Sequence, residues 1–248
     1  MALEIFSRYE MKYLIPFHTY KQLVPHLLER MRFDRFGEEG KYNIVSLYFD
    51  SPDKQIYYET RNKLRFRQKL RLRVYDDATL NSTAFIETKQ KYNNVVNKRR
   101  TGITLIEAYR FLGRSTGERP EHFEASNPQV LKEVGSFQSL YGLEPKVVVS
   151  YDRQAFHGLY EDDLRVTFDY NLMCRGDDLK VENGPRGRHF VDEDLVVLEV
   201  KVNHSVPLWL SRLLSEYECP KQSVSKYCTS VDLIEEVAKQ KNKEATAG

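Results

Sequence analysis

Apolar and polar residues alternate at every second position in several short stretches of this chain, the period of a β-strand with one buried face. Residues 5–15 open as such a strand, which Pro16 ends. From Thr19 the spacing becomes helical, with Tyr20, Leu23, Leu27 and Met31 recurring over about three turns, interrupted only by Pro25. Asn43–Phe49 is β-branched and aromatic and runs into Asp50-Ser51-Pro52-Asp53, a turn sequence. Strands are predicted at Lys69–Tyr75, Thr83–Lys91 and Val95–Thr101. Helices follow at Leu105–Leu112 and Pro128–Tyr141, on either side of the Gly/Ser/Pro-rich stretch Gly113–Pro120. Strands return at Lys146–Phe156, Leu164–Leu172 and Leu195–Val202. After Pro207, Leu208, Leu210, Leu213 and Leu214 give a helix an apolar face up to Tyr217, and a helix over about Ser230–Lys239 precedes a charged tail expected to fray. With no internal repeat or linker, residues 1–248 read as one α+β domain.

Parity sorts the strand residues by chemistry. Leu70, Leu72 and Val74 share one face and Arg71 and Arg73 the other. Glu87 and Lys89 share a face that extends to Lys91; Arg165, Thr167 and Asp169 oppose Val166 and Phe168; Glu199 and Lys201 oppose Leu198 and Val200; Glu10 and Lys12 are spaced alike. Taken singly, each is what any half-solvated antiparallel sheet shows. Taken together, several strands carry arginine or lysine beside an acid, two of them within strongly apolar runs. Closing about eight such strands into an antiparallel β-barrel would gather these faces around one lumen. Fixed cations there favour a polyanion, since guanidinium groups bind phosphate oxygens bidentately and ammonium groups add point charges. The acids read two ways: as partners that hold the cations in place, or as hard oxygen ligands for a divalent metal. Both stay open for Glu10, Glu87 and Asp169.

Composition narrows the classes. With 248 residues and 41% hydrophobic content the chain can bury a substantial core, and 38 basic against 36 acidic residues give a net charge of only +2, so a basic site must come from local clustering. The three cysteines Cys174, Cys219 and Cys228 form no C-x-x-C pair, which argues against a disulfide framework and a zinc site. The six histidines show no metal-ligand spacing and read as surface or cap residues, and Trp209 as core. Gly37–Tyr42 contains a Gly-Lys pair without P-loop spacing and reads as a turn. No run reaches the roughly 20 apolar residues of a membrane helix, and Met1–Glu4 lacks a signal-peptide start, so a cytoplasmic protein without direct membrane insertion is expected.

Several short motifs in order resemble one family: Arg8-Tyr9-Glu10-Met11-Lys12-Tyr13, Leu47-Tyr48-Phe49-Asp50, Arg71-Leu72-Arg73, Phe85-Ile86-Glu87-Thr88-Lys89, Ser150–Phe156, Leu164–Asp169, Leu198-Glu199-Val200-Lys201 and Ser223–Tyr227. Over nearly its whole length the chain is similar to the vacuolar transporter chaperone (VTC) catalytic domain, a polyphosphate polymerase in the triphosphate tunnel metalloenzyme superfamily. The resemblance implies a triphosphate tunnel, with ATP and inorganic polyphosphate as ligands and manganese or magnesium as cofactor. It implies catalytic roles for Arg71, Arg73, Lys89, Arg153 and Lys226, and phosphate binding through Lys12, Lys98, Arg100, Arg165 and Lys201 with Glu10 among them. It tips Glu199 towards metal binding. The superfamily's triphosphatases carry E-x-E-x-K on the first strand; Arg8 replaces the first acid here, and a site with fewer carboxylates is less suited to activating water. Polymerisation is therefore the favoured reading, a triphosphatase and a non-catalytic polyphosphate-binding module the alternatives. Nucleic-acid binding through Arg61–Tyr75 is disfavoured by the near-zero net charge, and any membrane or transport partner is unknown.

Overall fold

The computed structural model describes residues 5–93, 95–113 and 119–247, with the side chains of 5–8 and 244–247 outside that description. In chain order its elements are β1 (Ile5–Pro16), α1 (Phe17–Leu28), β2 (Met31–Phe33), β3 (Lys41–Asp50), α2 (Gln55–Arg61), β4 (Phe66–Tyr75), β5 (Thr83–Tyr92) and β6 (Val95–Thr104). Then come α3 (Leu105–Leu112), α4 (Pro128–Tyr141), β7 (Glu144–Gly158), β8 (Arg165–Arg175), β9 (Arg188–His189), β10 (Leu195–Val202), α5 (Leu208–Glu216) and α6 (Lys226–Ala247). The class is α+β, built on one antiparallel sheet in the order β2-β7-β3-β4-β5-β6-β1-β10-β8-β9. Because β8 also pairs with β7, Arg153 opposite Asp169, the pairings run from β7 through β3, β4, β5, β6, β1, β10 and β8 back to β7. β2 and β9 are short outer partners of β7 and β8.

The apolar strand residues face outwards, under the helices. Leu70, Leu72, Val74 and Ile86 pack in one cluster with Leu105 and Ala108 of α3, Val130, Leu131 and Val134 of α4, Ile56 of α2 and Val231 of α6. A second cluster joins Ile15, Phe168, Val196, Leu198 and Val200 to Tyr20, Leu23 and Leu27 of α1 and Leu210 and Leu214 of α5. Truncating one such leucine to alanine typically costs about 2–5 kcal/mol.

Most predicted elements are found, and the differences lie at ends and in short pieces. α1 continues through Pro25 because Leu23 and Leu27 anchor it on either side. β4 starts at Phe66, earlier than predicted, since Arg67 and Lys69 continue the inward parity. α6 starts at Lys226 rather than Ser230 and runs to Ala247, so the tail predicted to fray is helical as far as described. α2, β2 and β9 were not predicted, being too short to show a period. Of the predicted turn Gly37–Tyr42, the part up to Gly40 is a turn, with Gly37 and Gly40 at φ 70° and 68°, and Lys41 and Tyr42 already belong to β3. The predicted loop Gly113–Pro120 lies mostly outside the described residues.

Candidate functional site

The inward face of β4 carries Arg67, Lys69, Arg71 and Arg73 at two-residue steps, with Arg71 opposite Glu87 of β5 and Tyr48 of β3. Arg71 Nε donates to Glu87 Oε2 at 2.6 Å and Arg71 Nη1 to Tyr48 Oη at 3.2 Å. Lys98 of β6 pairs with the other oxygen of Glu87, and Arg73 Nε lies 3.8 Å from Oε2. Arg73 also donates to Ser46 Oγ at 3.1 Å and Tyr151 Oη at 3.0 Å. Burial alone would raise the Glu87 carboxyl, but Arg71, Lys98 and Arg73 outweigh it and hold it well below the usual range.

On the far wall Arg153 of β7 makes a bidentate pair with Asp169 of β8, Nε to Oδ1 at 2.6 Å and Nη2 to Oδ2 at 2.8 Å. Lys226, the first residue of α6, reaches in at 2.6 Å from Asp169 Oδ2 and 3.3 Å from Glu199 Oε1. Burial would lower the Lys226 ammonium, yet Asp169 and Glu199 raise it above its ordinary value. Glu199 of β10 also holds Lys12 at 2.8 Å and Lys201 at 2.6 Å, and Lys201 donates to Thr167 Oγ1 at 3.0 Å. Lys89 pairs with Glu10 Oε2 at 2.6 Å. Burial would raise the Glu10 carboxyl, as would Glu199, but Lys89, Lys201 and Lys12 bring it to about 2. Arg165 donates to Asp34 at 2.7 Å and to Tyr42 Oη at 3.0 Å.

All twelve residues singled out in the sequence line one cavity of about 1980 Å³: Glu10, Lys12, Arg71, Arg73, Lys89, Lys98, Arg100, Arg153, Arg165, Glu199, Lys201 and Lys226. Arg100, opposite Glu87 in register, makes no ion pair among the described residues; its guanidinium lies over the Phe85 ring at 4.7 Å. Glu87 and Asp169, with side chains 1% and 0% exposed, lie beneath the cations they hold. Arg8 is on β1 opposite Val96, but its side chain is outside the description. His157, expected as a surface or cap residue, lines the cavity 3.5 Å from Asp34, because the long β7 carries it to the cavity's edge.

Sequence reasoning missed several contributors, among them Asp34 and Tyr42, which hold Arg165. Arg67 and Lys69 share the parity of Arg71 and were there to be counted. Tyr48, quoted in a motif but given no role, faces Arg71. Asp50, read as part of a turn, is fully buried and accepts Ile56 N at 2.8 Å, Tyr57 N at 3.0 Å and the Tyr227 hydroxyl, tying α2 and α6 to the end of β3. Nothing in the sequence marks that long-range contact.

The donor set at Glu199 bears on a metal. It offers hard oxygens at the cavity wall, and both already accept cationic groups, Oε1 from Lys12 and Lys226 and Oε2 from Lys201. Among the described residues no three His, Cys, Asp or Glu side chains converge as a ligand cage. A hard divalent ion there would have one carboxylate to take, in competition with these lysines, and would have to draw its remaining oxygen ligands from phosphate and water.

The VTC domain family model matches residues 7–235. Comparison with curated proteins gives no match. Among solved structures, a candidate adenylate cyclase from Bacillus halodurans aligns with TM-score 0.54 at 14% identity, covering 90% of this chain and 96% of that one. A candidate adenylyl cyclase from Hippeastrum, described as having a dominant triphosphatase activity, aligns with TM-score 0.50 at 13% identity, covering 89% and 93%. At these identities the likeness is one of fold.

Proposed function

The chain belongs to the VTC domain family, and from that premise we propose that it is a polyphosphate polymerase, transferring the γ-phosphoryl group of ATP to a growing inorganic polyphosphate chain. The whole chain acts as one unit, and the circuit of strand pairings is a closed tunnel around the reaction. The observation that carries this reading is the convergence of many cations on one cavity, most of them held in position by carboxylates.

In this reading the ATP phosphates lie on Arg71, Arg73, Lys89 and Arg153, with Lys226 beside the transferring group. Lys12, Lys98, Arg100, Arg165 and Lys201 carry the rest of the chain, and Glu10 orients Lys89. A terminal oxygen of the acceptor chain attacks the γ-phosphorus, and the bond to the β-bridging oxygen breaks, releasing ADP. The attacking oxygen is already ionised, so no base has to remove a proton. The guanidinium and ammonium groups align the reactants in line and neutralise charge on the transferring group and on ADP. A manganese or magnesium ion held by Glu199 would add neutralisation across neighbouring phosphates. Glu10 and Glu199 both accept from lysines, which leaves neither as a free base for water and supports transfer over hydrolysis. No helix among the described residues is long and apolar enough to cross a membrane; we place the reaction in the cytoplasm.

Incubation with ATP and Mn²⁺ is expected to give a ladder on a polyphosphate-stained gel. Orthophosphate alone would identify a triphosphatase, and bound but intact ATP a binding module. Glu199→Gln is expected to lose turnover more than about ten-fold while retaining most polyanion binding.

A further inference from the structure

On β4 the Lys69 ammonium, set in the cavity wall between better-compensated neighbours, has no carboxylate within ion-pair reach among the described residues. Lys69 of β4 is recessed in the wall, its Nζ donating to Ser225 Oγ at 3.1 Å and lying 5.9 Å from the centre of the Tyr227 ring. Lys12, Lys89, Lys98, Lys201, Lys226, Arg71, Arg153 and Arg165 each have an acid within ion-pair reach. Lys69 makes no ion pair among the described residues. Its direct cross-strand neighbour is Lys89, a like-charge pairing that destabilises a sheet. The groups around it are Arg67 and Arg71 on its own strand, Tyr48 of β3, Lys89 of β5, Lys12 of β1, and Tyr227 and Cys228 of α6. Among them only the phenols and the thiol can become anionic.

We propose that Lys69 is a proton-linked phosphate subsite: an arriving phosphate chain supplies the anion that the fold withholds, and its binding draws a proton from solvent onto the Lys69 amine. The inference rests on the phosphate-chain reading above and assigns to that site a coupling to pH. Burial lowers the Lys69 ammonium to about 8, with Lys89 and Lys12 pushing the same way against Cys228 and Tyr48. For Tyr48, burial would raise the phenol, but Arg71, Arg73 and Lys69 bring it down to about 8. Amine and phenol therefore titrate in the same range. A bound anion raises both, so proton uptake accompanies binding and affinity falls as pH rises through this range.

Isothermal titration of linear tripolyphosphate near pH 8, repeated in buffers of different ionisation enthalpy, counts the protons taken up. Comparing variants with one ligand cancels the ligand's own titration. Lys69→Arg keeps a permanent charge, and is expected to lose about half a proton of uptake while holding affinity within a few-fold. Lys69→Met is expected to weaken binding about ten-fold or more, as charge-assisted contacts to phosphate do when removed. Equal proton counts for wild type and Lys69→Arg overturn the inference alone. No binding of tripolyphosphate to the wild type removes the phosphate-chain reading and this inference with it. Should Lys69→Arg fail to fold, NMR titration of the wild-type Lys69 side chain gives the same answer. Its pKa is expected to rise when tripolyphosphate is added, and an unchanged value refutes the coupling.

Discussion

Glu87 compensates three cations at once, accepting from Arg71 and lying within ion-pair reach of Lys98 and Arg73. Removing its charge leaves those groups repelling one another in a recess with little water. Glu87→Gln is expected to destabilise the protein by about 3–5 kcal/mol in chemical denaturation. Added tripolyphosphate should restore much of the loss, because it replaces the missing charge. Parity within a strand was enough to put Glu87 on one charged face and Arg71 and Arg73 on another, since a two-residue period is a local property of the backbone, whereas Lys98 came only from the family resemblance. It could not say that Glu87 and Asp169 lie beneath the cations while Glu10 and Glu199 line the cavity. That distinction depends on which strands become neighbours.

At the level of elements, Lys226 differs from the strand-borne cations that pair with Glu87, Asp169 and Glu199 in standing on a helix. α6 is fixed at that end by the Tyr227 hydroxyl on Asp50, which also caps α2 through Ile56 N and Tyr57 N. Asp50→Ala removes the acceptor for all three and is expected to cost about 2–3 kcal/mol. It should also lower affinity for polyanions more than substitution of an exposed acid such as Glu193, measured by titration at fixed salt. α2 was invisible in the sequence because one and a half to two turns carry no usable period. The start of α6 was misplaced for a related reason, its first turn being polar where it faces the cavity. Leu195–Val202 was placed correctly, as a β-branched apolar run ending in an alternating charged pair leaves a clear trace even though both of its faces are buried.

For the whole molecule, acid is the natural probe. The Glu10 and Asp169 carboxyls, which burial would raise, are held at about 2 by Lys89 and by Arg153 and Lys226 respectively. A carboxyl that titrates near 4 when unfolded and lower when folded stabilises the fold fully above that value, and this contribution is lost as pH falls towards the folded pKa. The melting temperature is therefore expected to drop between about pH 4 and pH 2, and a flat profile there would contradict the ion-pair assignments.

The outward-facing apolar layer has a consequence beyond stability. A pocket lined with oil tends to shrink on itself when vacant, whereas a lining of hydrated, ion-paired charges on paired strands gives this one little to gain by closing. The ordering of side chains is then complete when the chain folds, and little of it remains to be done when cargo arrives. Such a receptacle resists collapse when vacant, braced from outside by the helices packed on its apolar face.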